Sequence, residues 1–250
     1  MLTHTFCHIP GVGPASERKL WECGLLCWQD FLQAYPEVPF SPRKSEHIRD
    51  HLEKSAAALR ARDHRFFAEA LSSRDCWRAF PQFADSAVYL DIETTGLGES
   101  AEITMIGLYD GDSYRPYIKG QNLADFADDI AAFSLIITYF GTAFDLPFIL
   151  RGFPFLRLPQ IHIDLCYPLR RLGYTGGLKN IEEQLGIQRS EDTHGLSGHD
   201  AVRLWREYER GNARSLDLLV RYNQEDVVNL QRLMHISYPK LIERLGFPFA

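Results

Sequence analysis

The chain has 250 residues, 45% hydrophobic and 24% charged, ordinary values for a globular protein with one sizeable core and a small appendage. Its net charge of −6 excludes a wholly basic, histone-like binder of nucleic acid, but not an enzyme that keeps its cations local. Five cysteines without disulfide or zinc spacing, and no signal peptide or membrane-length apolar run, predict a cytoplasmic protein whose cysteines pack as small buried apolar groups. Residues 1–80 carry 11 Lys+Arg against 10 Asp+Glu, which leaves 16 against 23 for the rest. The acidic excess therefore lies in the later part.

In chain order, Gly11-Val12-Gly13 reads as a tight hairpin after Ile9-Pro10, followed by a helix from Pro14 that ends at Gly24 and a second helix over Trp28 to Ala34. This pattern resembles a helix-hairpin-helix element, in which the hairpin amides around Gly11 and Gly13 face a nucleic-acid phosphate. Glu17 stands where that element usually has a small residue, and a plain packing hairpin fits the same pattern. Ser41-Pro42 opens a long helical stretch to about Leu71, capped by Ser41 and broken near Asp63. Residues 1–78 are thus expected to form a small all-α region, and residues 79–250 a separate domain.

That second part reads as an α/β sheet domain. Strands are predicted at Ala87-Val88-Tyr89-Leu90 and onward, at Glu102 to Tyr109, Ser113 to Ile118, Leu135 to Tyr139 and Ile161 to Leu165, with a hairpin turn in "YDGDS". "NLADFADDIAAF" predicts one amphipathic helix with Leu123, Phe126, Ile130 and Phe133 on a face. A helix starts near Ala143, and from Gly177 the chain is mostly helical, ending in a helix from Arg214 to about Met234.

The first strand ends in "YLDIETTGL". Strand side chains alternate, so Asp91 and Glu93 share a face. Two carboxylates so close repel unless a cation lies between them, and oxygen ligands suit Mg²⁺ or Mn²⁺. A solvated edge strand is the alternative. Two further acids follow: Asp145 in "FDLPF", at a predicted helix start, and Asp226 in "YNQED", one turn after Tyr222 on the last helix.

The series D-x-E-T-T-G-L, F-D-x-P-F and Y-x-x-x-D resembles the three motifs of the DEDD (DnaQ-like) 3′–5′ exonuclease superfamily, in the branch with Tyr in the third motif. Over residues 80 to 240, "HIDLCYPLRRLGYTGGLKNIEEQLGI", "AVRLWREY" and "YNQEDVVNL" are similar to the YprB-like branch. One position departs: Phe140 replaces a polar residue of an F-N-G sequence. The resemblance implies an RNase H-like mixed sheet flanked by helices. It implies a two-metal site (Mg²⁺ or Mn²⁺) on Asp91, Glu93, Asp145 and Asp226, with Tyr222 orienting water. Thr95 and Leu97 would touch the terminal nucleotide, Leu97 either wedging against a base or packing in the core, and Lys179 would meet a phosphate. From its position in "HIDL", Asp164 either reaches the same cleft or caps a helix from Leu165, the cap being the expected role, and Glu225, on a different helix face from Asp226, is expected to face solvent. The implied substrate is the end of a single-stranded DNA or RNA, with a helicase or repair partner and no membrane. The alternatives are an RNase H-type endonuclease and a non-catalytic binding module of the same fold.

Overall fold

The computed structural model describes residues 1–247 of the chain. The first part is helical: α1 (Pro14–Glu22), α2 (Trp28–Ala34), α3 (Pro42–Arg60), α4 (His64–Ala70) and a short α5 (Phe80–Phe83). The expected break falls between α3 and α4, where Arg62 has φ 53° and the Asp63 side chain accepts from the Arg65 and Phe66 amides. Ser41 precedes α3, but its side chain makes no capping bond; its carbonyl accepts from the Ser45 amide and hydroxyl instead.

Five strands follow: β1 (Ala87–Thr94), β2 (Ile103–Tyr109), β3 (Tyr114–Ile118), β4 (Leu135–Thr138) and β5 (Ile161–Asp164), in the spatial order β3-β2-β1-β4-β5. β1 pairs antiparallel with β2 and parallel with β4, and β4 parallel with β5. The helices of this part are α6 (Phe126–Asp129), α7 (Asp145–Gly152), α8 (Cys166–Arg171), α9 (Leu178–Gln184), α10 (Gly198–Glu209) and α11 (Ala213–Leu245). Together they make an RNase H-like α/β fold, a mixed sheet flanked by helices and preceded by a small all-α region.

Three expectations need correction. The segment from Leu123 to Ala132 is not one helix but a four-residue α6 between two 3-10 turns. Its apolar face survives because 3-10 geometry aligns residues three apart, as in Leu123/Phe126 and Ile130/Phe133. The last helix continues well past Met234, through Pro239. An interior proline costs about 3 kcal/mol, but burying Met234 and Leu241 against the N-terminal region gains ~1.5–3 kcal/mol each. Cys23 is exposed, while Cys76 and Cys166 are buried as expected.

The sheet carries cores on both faces. Val88, Leu90 and Ile92 pack with Phe126, Ile130 and Phe148 on one side. On the other, Tyr89, Leu135 and Ile137 belong to the same cluster as Phe6, Leu20, Phe31 and Leu52 of the N-terminal region. Inside that region Glu17 is 2% exposed and pairs with Arg78 at 2.7 Å. Glu17 also accepts from the Phe6 amide (2.6 Å) and the Thr5 hydroxyl (2.7 Å), and Arg78 donates to the Thr5 hydroxyl (2.8 Å). The unusual residue of the hairpin sequence is thus the buried anchor that ties α1 to the segment leading into the sheet. Removing one partner of a buried pair strands the other charge. Arg78→Met is therefore expected to lower unfolding free energy by about 3–5 kcal/mol in urea titration, and a loss below about 1 kcal/mol, typical of an exposed pair, would show the pair to be solvated.

Candidate functional site

The site forms where parallel pairing stops. β1 pairs with β4 only over Ala87–Tyr89 against Leu135–Ile137, whereas β2 follows it to Thr94. The carboxyl end of β1 therefore projects past β4 and opens a crevice at the ends of parallel strands, where open α/β sheets bind ligands. Tyr89, Asp91 and Glu93 face the same side, and α11 crosses that side. A helix of 33 residues is about 50 Å long, enough to run from the site back to the N-terminal region.

Asp91, Glu93 and Asp226 come together: one carboxylate oxygen from each lies within 4.8 Å of the others. Glu93 and Asp226 are buried, and Asp91 is half-buried. Burial, then repulsion from Asp226, pushes the Asp91 and Glu93 carboxyls well above the usual range. Burial also raises Asp226 to about 6, although Arg189 opposes it. Glu93 Oε1 is buried without a hydrogen-bond partner among the described residues. An all-carboxylate donor set with a bare buried oxygen fits a hard divalent cation such as Mg²⁺ or Mn²⁺.

Asp145 begins α7 but lies outside that three-oxygen group. Its Oδ1 accepts from the Ile92 amide at 3.1 Å, just past the last β1–β4 pair. It is 2% exposed, and burial raises its carboxyl to about 7. Asp145 thus holds the β1 backbone beneath the cluster and adds to its negative field.

Several residues that the motifs did not reveal complete the arrangement. Asn223 donates to Asp91 Oδ2 at 3.0 Å and accepts from the Tyr114 hydroxyl at 2.9 Å. It fits because Gly107, the β2 partner of Asp91, has no side chain: a Cβ there would lie 1.8 Å from Asn223 Oδ1. A glycine inside a strand signals such close approach, and "TMIGLY" carried that signal. Arg189, with its side chain 6% exposed, clamps Glu182 through two bonds of 2.6 and 2.8 Å and also bonds Asp226. Asn229 donates to Glu182 at 3.0 Å. Glu225 does not face solvent only; it accepts from the Ser190 amide and the Thr193 hydroxyl, pinning the loop that delivers Arg189. No local pattern in "LGIQRS" marks Arg189, because its partners lie on α9 and α11.

Tyr222 is buried beside the cluster, and burial raises its hydroxyl far above the usual range. Lys179 donates to the Tyr222 oxygen at 2.6 Å and also to the Leu196 carbonyl. Asp164 does bond the Cys166 amide at the start of α8 (3.1 Å), but it also accepts from Phe140 (2.7 Å) and Thr142 (3.0 Å), holding the loop before α7. The carboxylates lie at the floor of a cleft of about 750 Å³. Thr95, Leu97, Phe140 and Phe144 line it, as do His199, Arg203 and Arg206 of α10; Arg203 pairs with Glu207 at 2.7 Å. Leu97 is 79% exposed, so it does not pack in the core. Gly11, with φ 80°, and Gly13, at the start of α1, lie in the N-terminal region and line a separate depression.

The sheet order, with the crevice at the end of β1 and the acids within it, is that of an RNase H-like α/β fold. A family model described as RNase H superfamily (RNase_H_2) matches residues 88–238. The chain belongs to the RNase H superfamily. Among solved structures it is similar to the family B DNA polymerase of the hyperthermophilic archaeon Pyrobaculum calidifontis, at 15% identity and a TM-score of 0.47, covering 62% of this chain and 24% of that one. It is also similar to the Aedes aegypti Nibbler EXO domain, at 13% identity and a TM-score of 0.46, covering 68% and 85% of the two chains. The chain thus spans about a quarter of the polymerase. No curated protein matches the sequence. No helix among the described residues is long and apolar enough to cross a membrane.

Two outcomes follow from the electrostatics. Asp145 and Asp226 have carboxyls raised to about 7 and about 6, so the metal-free folded state binds more protons than the unfolded state above their ordinary value of about 4. Their contribution to stability is therefore greatest below that value and falls as pH rises to about 7. Urea unfolding of chelated protein across this range should show the fall, and saturating Mn²⁺ should flatten it; a metal-independent profile counts against the site. Arg189→Gln leaves Glu182 and Asp226 uncompensated and should destabilise chelated protein by about 3–5 kcal/mol. Mn²⁺ should recover part of that loss, since it replaces the missing charge at Asp226.

Proposed function

We propose that the chain is a divalent-metal-dependent 3′–5′ exonuclease acting on single-stranded nucleic-acid ends. The observation that carries this reading is the convergence of Asp91, Glu93 and Asp226 within 4.8 Å on the RNase H superfamily fold. Two divalent ions, Mg²⁺ or Mn²⁺, supply charge for the phosphate and acidify water. Asp91, Glu93 and Asp226 would hold them, and Asp145, which accepts from the Ile92 amide, supports the strand that carries Asp91 and Glu93. Lys179 donates to the Tyr222 oxygen, so the Tyr222 proton is left to point elsewhere and orient the attacking water. With its hydroxyl held so far up by burial, Tyr222 positions water rather than accepting a proton.

Phosphate contacts in the cleft fall to Arg203 and Arg206, which line it together with Thr95 and Leu97; Arg203 would exchange its present pairing with Glu207, at 2.7 Å, for the phosphate. In this reading residues 79–250 are the catalytic domain and residues 1–78 a backbone grip. At Gly13 the start of α1 has no side-chain cap, which leaves helix N-terminal amides for a phosphate, and Lys44 lies beside them, 3.0 Å from Ser16.

The test is hydrolysis of DNA and RNA oligonucleotides labelled at either end, with Mg²⁺ or Mn²⁺. A ladder shortening from the 3′ end is expected, with closed circles left intact. Asp91→Asn and Glu93→Gln should each reduce the rate by more than the about 10–100-fold loss that follows removal of an outer partner. Cleavage of circles would favour the endonuclease instead, and full activity of either variant would refute the metal-site reading.

A further inference from the structure

Phe140 sits in a conformation that its side chain does not favour. Its φ is 64°, in the left-handed region that glycine and asparagine enter readily and bulky residues do not. The backbone there is imposed by its surroundings. The Phe140 and Thr142 amides both donate to Asp164, and a Cβ at Gly141 would lie 2.2 Å from Thr138 Oγ1. The loop requires the turn, but it does not require the ring. That ring is 52% exposed at the lip of the cleft, with Leu97 exposed on the same rim.

The cleft therefore combines an exposed aromatic side chain, the three carboxylates and two arginines, Arg203 and Arg206, around one space. Its volume of about 750 Å³ lies within the roughly 300–1,000 Å³ of sites for small ligands. It has room for the last nucleotides of a strand. A nucleobase carries a π-face and its sugar a phosphate, so one nucleotide satisfies both the ring and the arginines. We infer that Phe140 is the stacking platform for the terminal base, and that it makes the site select unpaired 3′ ends, purines more than pyrimidines. A base inside a duplex end has its faces and edge engaged by neighbours, whereas an unpaired base is free to turn onto the ring. The larger purine face stacks more strongly. This inference rests on the nuclease reading of the same site and adds to it the residue that sets preference.

The stability and binding effects of Phe140→Asn should have opposite signs. Asparagine is at ease at φ 64°, so the thermal midpoint should hold or rise, while affinity for a single strand falls about 5- to 150-fold, the range for loss of one base–aromatic stack. Binding is read in an Asp91→Asn background with an oligonucleotide carrying 2-aminopurine, an adenine analogue that dims when stacked, at its 3′ end. Quenching is expected with Phe140, is lost in Phe140→Asn and is retained in Phe140→Trp. In active protein the loss should fall mainly on KM rather than kcat. Equal quenching and affinity with and without the ring overturn the inference, as does equal quenching of paired and unpaired ends. A drop in thermal midpoint accompanying the affinity loss assigns the ring a structural role and also overturns it. Failure of the wild-type protein to bind or cleave any oligonucleotide with Mg²⁺ or Mn²⁺ refutes the nuclease reading, and this inference with it.

Discussion

Three carboxylates held within 4.8 Å of one another repel, and much of the surrounding structure answers that repulsion. Like charges at such range cannot all ionise in a buried site without compensation. The protein supplies it unevenly. Asp226 receives a full positive charge from Arg189, Asp91 receives an amide hydrogen bond from Asn223, and one oxygen of Glu93 receives nothing among the described residues. The unevenness gives the site a direction. Asp226 is held from behind, and the bare oxygen of Glu93 marks where a cation gains most.

That arrangement depends on pieces distant in sequence. Arg189 lies on a loop that has no regular structure of its own, and two acids fix it: Glu182 on α9 grips the guanidinium and Glu225 on α11 pins the loop backbone. Neither acid faces the cleft, yet both decide where Asp226 points. Gly107 is a similar case on the sheet: its missing side chain lets Asn223 reach Asp91. A buried network of this kind holds geometry at the expense of tolerance to change, which suits a site that must keep charged groups in register before any cation or phosphate arrives.

The N-terminal region joins the sheet domain through a shared apolar core and through α11. Trp77 and Phe80 pack on Tyr238 with ring centroids 5.8 Å apart. The same helix thus carries Tyr222 and Asp226 in its first half and the N-terminal contacts in its second. The helical region and the site residues are thus joined by one helix as well as by packing.

The sequence by itself determined the order of the strands along the chain, the shared face of Asp91 and Glu93, and the one-turn spacing of Tyr222 and Asp226. These follow from local periodicity, which the backbone enforces within a few residues. It also located the break near Asp63, where a capping side chain acts on its own neighbours. The tertiary structure alone decided the rest. It carried α11 through Pro239 because long-range burial offsets a local penalty. It divided the segment around Phe126 into short turns, because what it conserves is contact with the sheet rather than helix type. It turned Glu17 from an oddity into a buried anchor by bringing Arg78 from 61 positions away, and it seated Arg189 against Asp226, 37 positions distant. Charge pairing across such separations leaves no periodic trace in the chain, because it depends on which surfaces meet only after the strands and helices have packed.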